Sequence, residues 1–363
     1  MSATEVEELP PLYARWVTGI LGGPIPREVR ATCGQCAMCG PRHPASAVPV
    51  FDPAMKCCSY QPSLPNYLVG AILADETLAQ STGLESVRSR ITGSVDVSPL
   101  QVGVPPSYRM FYDAAASWGF GRTPVLRCPH LTDAGTCGIW EHRNGVCATW
   151  FCKYARGATG GVFWDAVNHL LRAIENDLTV WCSLELGIDP AAIVGLVDIR
   201  PRSGADRLRD ELVPDAAQGR SAYLWGGWGD RQEEFYRACA ALVRDLSSDE
   251  VLARCGPETR AHALRAKEEY RRLVSTEIPP RLQFRGAQLG IVALDAEMVE
   301  LHTFSKLDPI VIPMVAFRAL THFDGRPTLD VRAELALEAG DTIDDALLMR
   351  LVDYRILQPA SGM

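Results

Sequence analysis

The chain contains 363 residues, of which 47% are hydrophobic and 22% are charged. This composition is ordinary for a globular protein and excludes an intrinsically disordered chain. The 36 Lys and Arg residues against 44 Asp and Glu residues give a formal net charge of -8, so the chain has no overall attraction to nucleic acids or anionic membranes. The first residues are acidic where a secretory signal would be basic, and no run of eighteen uncharged apolar residues follows. We therefore expect a cytoplasmic protein with neither a nucleic-acid nor a membrane partner.

Residues 1–30 are predicted to form a helical lead-in. Leu12, Trp16 and Ile20 are spaced for one helical face. The glycine pair that begins at Gly22 and is followed by proline would end this helix. A proline-rich, loop-like segment with five cysteines comes next.

Two further helices are predicted on either side of a second group of cysteines. The first begins at Asn66, where apolar residues fall near a period of 3.6, and ends at Gly83. The sequence RGATGG at 156–161 is predicted to be a flexible link, with a phosphate-binding loop as the weaker alternative. Apolar residues then recur every three or four positions over 164–181, which predicts a long helix.

The region 188–285 is predicted to be helical, with a loop at 200–229 followed by two helices. The first helix carries the apolar residues of 235–246, and the second runs over 257–275. Free cysteine packs as a small apolar residue. Three cysteines on apolar faces or at helix ends are therefore predicted to be structural: Cys182, Cys239 and Cys255.

The residue pattern changes from helical to β type at about residue 286. Residues of β type on both sides of Asp295 predict a β-hairpin. Three short helices are then predicted over 308–323, over 328–340, and from Thr342 with Asp345 in the capping-box position. A hairpin with three short helices is typical of a winged-helix-like module.

These patterns predict a mainly α protein in four parts. A cysteine-rich domain of loops and helices is expected at 31–187, between the lead-in at 1–30 and the helical region at 188–285. A winged-helix-like α+β module is expected at 286–363.

Nine of the twelve cysteines lie in two clusters. In a reducing compartment such clusters favour a metal site over disulfide bonds. Thiolates select zinc, iron–sulfur clusters or copper(I), and the C-x2-C spacing of the first cluster can present two sulfurs to one ion. The predicted metal ligands are Cys33, Cys36, Cys39, Cys57, Cys58, Cys128, Cys137, Cys147 and Cys152. His130 and His142 are alternative ligands, although polar neighbours of the site or surface residues are the better interpretation of both.

An iron–sulfur cluster or iron is favoured slightly over zinc. Four-cysteine zinc sites would stabilise a loop-rich domain simply. The excess of thiols near Trp140, Trp150, Phe151 and Tyr154 suits a shielded iron–sulfur cluster better, because apolar surroundings exclude solvent and tune its potential.

The segment CGIWEHRNGVCATWFC resembles the closing motif of the YkgJ-like, or CxxCxxCC, zinc- or iron-chelating family. The matching positions are Cys128, Leu131, Cys137, Ile139, Arg143, Cys147 and Cys152. Trp140, Asn144 and Trp150 replace a tyrosine, a proline and a phenylalanine of that pattern. The first half departs further, because Gly40 stands where the family has a cysteine and Cys57 follows only after a long insertion. The resemblance covers residues 31–155 and implies a metal centre; relatives similar to flagellin lysine N-methylases suggest protein-modifying chemistry.

Residues 289–357 resemble PqqD-like peptide-recognition modules more loosely. Phe323, Asp324, Gly325 and Thr328 match the turn of those modules. The resemblance implies that a peptide binds as an added strand at a sheet edge. DNA binding is disfavoured because acidic residues outnumber basic ones over 301–363.

Two functions follow from these patterns. The first is a peptide- or protein-modifying enzyme that uses a cysteine-bound metal centre and recognises its substrate through the C-terminal module. The second is a non-catalytic protein that uses zinc or iron for structure or metal handling. The sequence assigns no catalytic residue and no role for S-adenosylmethionine.

Overall fold

The computed structural model describes residues 9–30, 33–34, 36–40, 50–197, 223–286, 289–339 and 343–360. These residues are mostly helical with small sheets, which confirms the predicted mainly α fold. The chain divides into two compact units. Unit 1 contains Met1–Arg27, Thr32–Trp150 and Val167–Leu264, and unit 2 contains Glu28–Ala31, Phe151–Ala166 and Arg265–Met363. The predicted four-part division stays a prediction, and the loop predicted at 200–229 lies, up to residue 222, outside the described residues.

The described helices and strands are short, apart from one long helix. The α-helices are α1 (Pro11–Leu21), α2 (Asn66–Ala74), α3 (Thr82–Thr92), α4 (Pro106–Gly119), α5 (Gly145–Thr149), α6 (Gly157–Glu185), α7 (Pro190–Val197), α8 (Gln232–Val243), α9 (Ser248–Arg254), α10 (Pro257–Val274), α11 (Met314–Ala319), α12 (Thr328–Ala339) and α13 (Asp345–Asp353). The strands are β1 (Leu64–Pro65), β2 (Gln101–Val102), β3 (Arg281–Phe284), β4 (Gly290–Ala293), β5 (Met298–His302), β6 (Ile310–Pro313), β7 (Asp324–Pro327) and β8 (Leu357–Pro359).

In unit 1, α1 confirms the predicted N-terminal helix. Gly22 ends it with φ 75°, a left-handed conformation that favours glycine. The indole of Trp16 is buried and donates a hydrogen bond of 3.0 Å to the Leu246 carbonyl. Elsewhere in this unit α2 lies directly against α8, because a Cβ at Gly70 would come within 1.8 Å of the Tyr236 carbonyl oxygen.

The helix that begins at Asn66 ends earlier than predicted. Asp75 has extended backbone (φ -80°, ψ 105°), and its carboxylate accepts the Thr77 N–H, which stops α2. Ser81 then caps the separate helix α3. Gly83 therefore lies inside α3, where a side chain would meet the backbone of Gly138 at 2.7 Å.

The flexible link predicted at 156–161 is wrong. Residues from Gly157 onward form the first turns of α6, so the predicted long helix begins earlier than its apolar pattern. Arg156 stabilises this start, since it pairs with Asp353 (2.6 Å) and donates to the carbonyl of Ser275 (2.9 Å). Gly157 has φ 49°, and a Cβ there would lie 2.6 Å from the ring of Tyr354.

Unit 2 contains two three-stranded sheets with the orders β7-β3-β8 and β4-β5-β6. The predicted hairpin is confirmed, because β4 and β5 pair antiparallel with Ala293 opposite Val299. In β5, Val299 and Leu301 point into an apolar core, while Met298, Glu300 and His302, which alternate with them, are more exposed. This alternation is the expected pattern of a strand with one buried face.

The helix predicted over 308–323 is wrong in its first half. Ile310–Pro313 form strand β6, in which Ile310 and Ile312 are buried and Val311 is more exposed. Pro313 cannot donate an N–H inside a helix, so α11 starts only at Met314. The period of two in this segment therefore outweighs the capping signal at Asp308.

The two remaining C-terminal helices are confirmed with small shifts. α12 begins at Thr328 and ends one residue before Gly340. α13 begins at Asp345 because the Asp344 carboxylate accepts the Leu347 N–H at 2.7 Å, and the predicted start at Thr342 lies outside the described residues. Whether this arrangement is a winged helix stays a prediction.

Within the described ranges, the chain has no helix that combines the length and apolar character needed to cross a membrane.

Candidate metal centre

All twelve cysteines lie among the described residues, and none of them forms a disulfide bond. The three predicted structural cysteines, Cys182, Cys239 and Cys255, are buried in unit 1, as expected. The cysteines of the two clusters are half-buried, except Cys128, which is buried. The two groups of cysteines therefore differ in their surroundings.

Backbone and lysine hydrogen bonds hold the two cysteine clusters side by side in unit 1. The Cys128 N–H donates to the Cys58 carbonyl at 2.8 Å. Lys56 donates from Nζ to the carbonyls of Cys33 (2.9 Å) and Gly135 (2.7 Å), so one side chain joins three loops. Its φ of 52° is an uncommon left-handed conformation for a residue other than glycine. The structure thus brings both clusters together, as the sequence suggested.

The loop of the second cluster forms a compact turn before a short helix. Leu131 and Cys137 form an isolated antiparallel bridge, and the Gly138 N–H donates to the His130 carbonyl at 2.7 Å. Asn144 then caps α5, because its side-chain oxygen accepts the Cys147 N–H at 3.1 Å. Asn144, which departs from the family pattern, therefore has a local role that proline could not fill.

Eight cysteines of unit 1 form what we call the thiol cluster. Its members are Cys33, Cys36, Cys39, Cys57, Cys58, Cys128, Cys137 and Cys147. The charge of the Cys58 thiolate would raise the pKa of the Cys33, Cys57, Cys128, Cys137 and Cys147 thiols.

The thiols of this cluster differ in acidity. A hydrogen bond from the Cys57 thiol, helped by the charges of Lys56 and Arg143, lowers the pKa of Cys58 to about 7. Burial instead raises the pKa of Cys137 to about 11 and also raises the pKa of Cys147. Of the thiols of Cys58, Cys137 and Cys147, that of Cys58 is therefore the most acidic.

Arg143 supplies a second cation beside Lys56. Its guanidinium lies over the Trp140 ring at 3.5 Å from the ring centroid, and its Nε donates to the Trp140 carbonyl at 3.1 Å. This buried cation acts on the thiols of Cys33, Cys137 and Cys147 and lowers the pKa of each against the effect of burial. Positive charge is therefore available where thiolates would form.

The ninth predicted ligand, Cys152, belongs to unit 2 and is half-buried there. His142, a weaker candidate, is engaged elsewhere, because its Nε2 lies 2.8 Å from a carboxylate oxygen of Asp75. His130 is buried beside the second cysteine loop. Among the described residues, neither of its ring nitrogens has a hydrogen-bond partner.

The four aromatic residues expected to shield the thiols are not all in one place. Trp140 lies against Arg143, and Trp150 is 39% exposed and contacts Phe120. Phe151 and Tyr154 belong to unit 2 and contact each other. Of these four residues, Trp140 and Trp150 belong to unit 1 with the thiol cluster.

The sequence analysis missed a buried carboxylate next to α5. Glu175 on α6 accepts hydrogen bonds from the Tyr13 hydroxyl (2.6 Å) and the Gly145 N–H (2.5 Å). Burial raises its pKa to about 7 against the effect of these bonds. A signal was present, because Glu175 follows Leu171 by four positions and precedes Leu178 by three, and so lies on the apolar face of the helix.

A soft metal fits the donor chemistry of this site. Hydrogen bonds hold the loops that carry its thiols in contact, and the charges of Lys56 and Arg143 act on Cys58. The buried side chains of Arg90 and His130 have nitrogens without partners in the described structure. In the described ranges, however, no three side chains among His, Cys, Asp and Glu already have the geometry of a metal-ion site. The ligand atoms are thus near one another without surrounding a common point.

Comparison with protein-family models, curated proteins and solved structures found no match to this chain. The resemblance to the YkgJ-like family therefore rests on the cysteine motif, and it stays a prediction.

Proposed function

We propose that this protein binds a metal centre through the thiolates of the thiol cluster, with an iron–sulfur cluster favoured over zinc. The observation that carries the proposal is the contact between cysteine loops far apart in sequence, which the Cys128–Cys58 backbone hydrogen bond and the bonds of Lys56 hold together. Burying several thiols together has little structural benefit, since a free thiol packs only as a small apolar group. Thiolates that share a soft metal give the arrangement a physical reason.

The charges around the cluster support the same conclusion. Each cysteine that binds a metal loses its proton and adds a negative charge to a partly buried site. Lys56 and Arg143 lie where they offset that charge, and both lower the pKa of Cys58. Eight thiols exceed the needs of one four-thiolate site, so they suffice for two sites or for one polynuclear cluster. Cys152 is the ninth ligand that the sequence motif predicts.

Metal binding would draw the thiols closer than they lie in the described structure. The Cys58–Cys128 backbone hydrogen bond and Lys56 already hold those loops in contact. The residues that would bind the ion are therefore those of the thiol cluster, and the cations beside them would remain as neutralising groups.

Purification without oxygen tests the proposal. We expect a brown protein with iron and acid-labile sulfide, visible absorption and an EPR signal after reduction with dithionite. A colourless protein with stoichiometric zinc would establish the alternative, a structural or metal-handling zinc protein. A folded protein without any bound metal would refute both.

Two matched alanine variants separate metal ligation from folding. Cys58→Ala removes the thiol of the cluster whose pKa is lowered and is expected to abolish or greatly reduce metal content. Cys182→Ala removes a buried thiol outside the cluster and is expected to keep the metal content of the unmodified protein. Equal metal content in the two variants would contradict the assignment of Cys58.

A second element of the proposal is that the C-terminal module recognises a peptide, which a protein-modifying enzyme would need. Its support is strand β4, which lies at the edge of its sheet and exposes Ile291 and Val292. Hydrogen exchange in the presence of a pool of extended peptides tests this. Slower exchange at β4 with unchanged exchange at β3 is expected, and unchanged exchange at both strands would contradict it.

A further inference from the structure

The hydroxyl of Tyr108 joins two backbone segments that are far apart in sequence. Tyr108 lies on α4 in unit 1. Its hydroxyl donates a hydrogen bond to the Ser59 carbonyl at 2.7 Å and shares that proton with the Leu126 carbonyl at 3.2 Å. It also accepts the Gln61 N–H at 3.0 Å. One hydroxyl group therefore contacts backbone atoms on both segments.

Both segments carry a cysteine of the thiol cluster next to these contacts. Ser59 follows Cys58 directly, and Leu126 precedes Cys128 by two residues. The Cys128 N–H donates to the Cys58 carbonyl at 2.8 Å, so the segments are already paired at the cysteines themselves. Tyr108 adds a second connection between the same two segments. The backbones of Cys58 and Cys128 are thus held relative to each other at two points.

Further contacts hold the segment before and after Cys58 against the end of α4. The Ser59 side-chain oxygen accepts the Gly121 N–H at 2.8 Å, and the Asp52 N–H donates to the Gly121 carbonyl at 2.7 Å. A Cβ at Gly121 would overlap the ring of Phe51, so the two segments approach closely there. The helix α4 and the turn after it therefore support this cysteine segment along its length.

The bonds of the Tyr108 hydroxyl are shielded from water. Ser59, Gln61 and Leu126 are all buried. A buried N–H or carbonyl without a partner is costly, so loss of the hydroxyl would leave these groups to find other partners. Burial also raises the pKa of Tyr108 above its ordinary value, so the hydroxyl keeps the proton that it donates.

We propose that Tyr108 is a positioning residue for the metal centre, whose hydroxyl fixes the backbone beside Cys58 and Cys128 and so limits how far these two ligands can move apart. The inference rests on the proposed function and adds a residue to it. Ligands that are held in place before an ion binds lose less conformational freedom on binding, so the affinity for the ion is higher. Tyr108 itself does not contact the ion in this role.

The variant Tyr108→Phe tests this role, since it keeps the ring and removes the hydroxyl. Tyr112→Phe is its matched control. Tyr112 lies one turn later on α4 and stacks on Tyr108 with 6.1 Å between ring centroids, and loss of its hydroxyl leaves the bonds of Tyr108 intact. Cobalt(II) is a suitable probe, because bound thiolates give it near-ultraviolet charge-transfer absorption.

Anaerobic titration of the whole chain with cobalt(II) is expected to separate the two variants. The affinity should fall about tenfold or more in Tyr108→Phe, as for other residues that support metal ligands, and the charge-transfer spectrum should change. Both should stay unchanged in Tyr112→Phe.

A purely structural hydroxyl would give a different result. It would lower the stability of the metal-free protein and leave the affinity and the spectrum of cobalt(II) unchanged. That outcome overturns the role of Tyr108 while the proposed function stands. If the unmodified protein binds neither cobalt(II) nor zinc, the proposed function fails, and this inference fails with it.

Hydrogen exchange of the metal-free protein gives a second measurement. The amides of Gln61 and Cys128 are expected to exchange faster in Tyr108→Phe than in Tyr112→Phe, because the first loses its acceptor and the second lies in a less restrained pair of segments. Equal exchange in the two variants would overturn the inference. Should Tyr108→Phe fail to fold, the unmodified protein decides: cobalt(II) should slow exchange at Gln61 as well as at Cys128, and unchanged exchange at Gln61 would overturn it.

Discussion

The thiol cluster of unit 1 and the C-terminal module of unit 2 are stabilised in different ways. The module has a regular apolar core in which Val299, Leu301 and Ile312 are fully buried. The cysteine loops have few regular elements, and they depend on single hydrogen bonds such as that from Lys56 to Cys33. Apolar burial therefore suffices for the module, whereas the loops have polar and charged groups at their centre.

This difference indicates in which of the two regions a bound ion would contribute most to stability. Side chains of the module lose water and gain close packing without any ligand. The cysteine loops hold half-buried thiols beside the cations Lys56 and Arg143, whose charges would offset those of thiolates. Metal is thus expected to matter greatly for one region and little for the other.

Removal of the metal is the strongest way to test this comparison. Structural metal binding can contribute on the order of 10 kcal/mol to small thiolate sites. After chelation, we expect the amides of Cys128 and Gly138 to lose protection in hydrogen exchange, while those of β5 remain protected. Equal protection of both regions before and after chelation would show that the loops are stable without metal.

A core substitution in the module should have the converse effect. Leu301→Ala removes a buried side chain and is expected to lower the free energy of unfolding by about 2–5 kcal/mol. Ile291→Ala on the neighbouring strand is the control, because its side chain is 52% exposed, and a change within about 0.5 kcal/mol is expected. Denaturant unfolding measures both, and metal content should stay unchanged in each variant.

Glu175 should make stability depend on pH. Its pKa rises from 4.5 in the unfolded chain to about 7 in the fold, so the folded state retains a proton that the unfolded state has released. Stability therefore falls as pH rises from 4.5 to 7, by roughly 3 kcal/mol at about 1.4 kcal/mol for each pKa unit. Unfolding free energies measured across this window should show that fall in the unmodified protein and less of it in Glu175→Gln.

The control for this prediction is Glu185→Gln. Glu185 lies on the same helix, exposed to solvent, and its replacement should leave the pH dependence unchanged. Identical pH profiles for Glu175→Gln and the unmodified protein would show that Glu175 does not titrate in this range.

The smallest expected effect concerns the cap of α5. Asn144→Ala removes the acceptor of the Cys147 N–H and a donor to the Ser63 carbonyl, so a loss of about 1 kcal/mol is expected. Ser81→Ala removes the cap of α3 and should cost a similar amount. When cobalt(II) is bound in place of the native metal, its absorption spectrum should change in Asn144→Ala and not in Ser81→Ala. An unchanged spectrum in Asn144→Ala would mean that α5 does not position Cys147.

The sequence predicted regular elements well where one periodicity was present. The helices at α1, α8 and α10 and the hairpin of β4 and β5 were found from apolar spacing alone. Predictions failed where two signals competed. At Asp308 a helix-capping pair preceded a strand, and at 156–161 a run of glycines began a helix that Arg156 stabilises from a distance in sequence.

For the candidate site, the sequence supplied the thiol side chains, and their number and spacing predict a soft metal. Tertiary structure decided which loops meet and that the charges of Lys56 and Arg143 act on Cys58. The physical reason is that ligand type is a property of single residues, whereas electrostatic and hydrogen-bonded neighbours depend on how distant segments pack. No periodicity in the chain encodes the hydrogen bond from the Cys128 N–H to the Cys58 carbonyl.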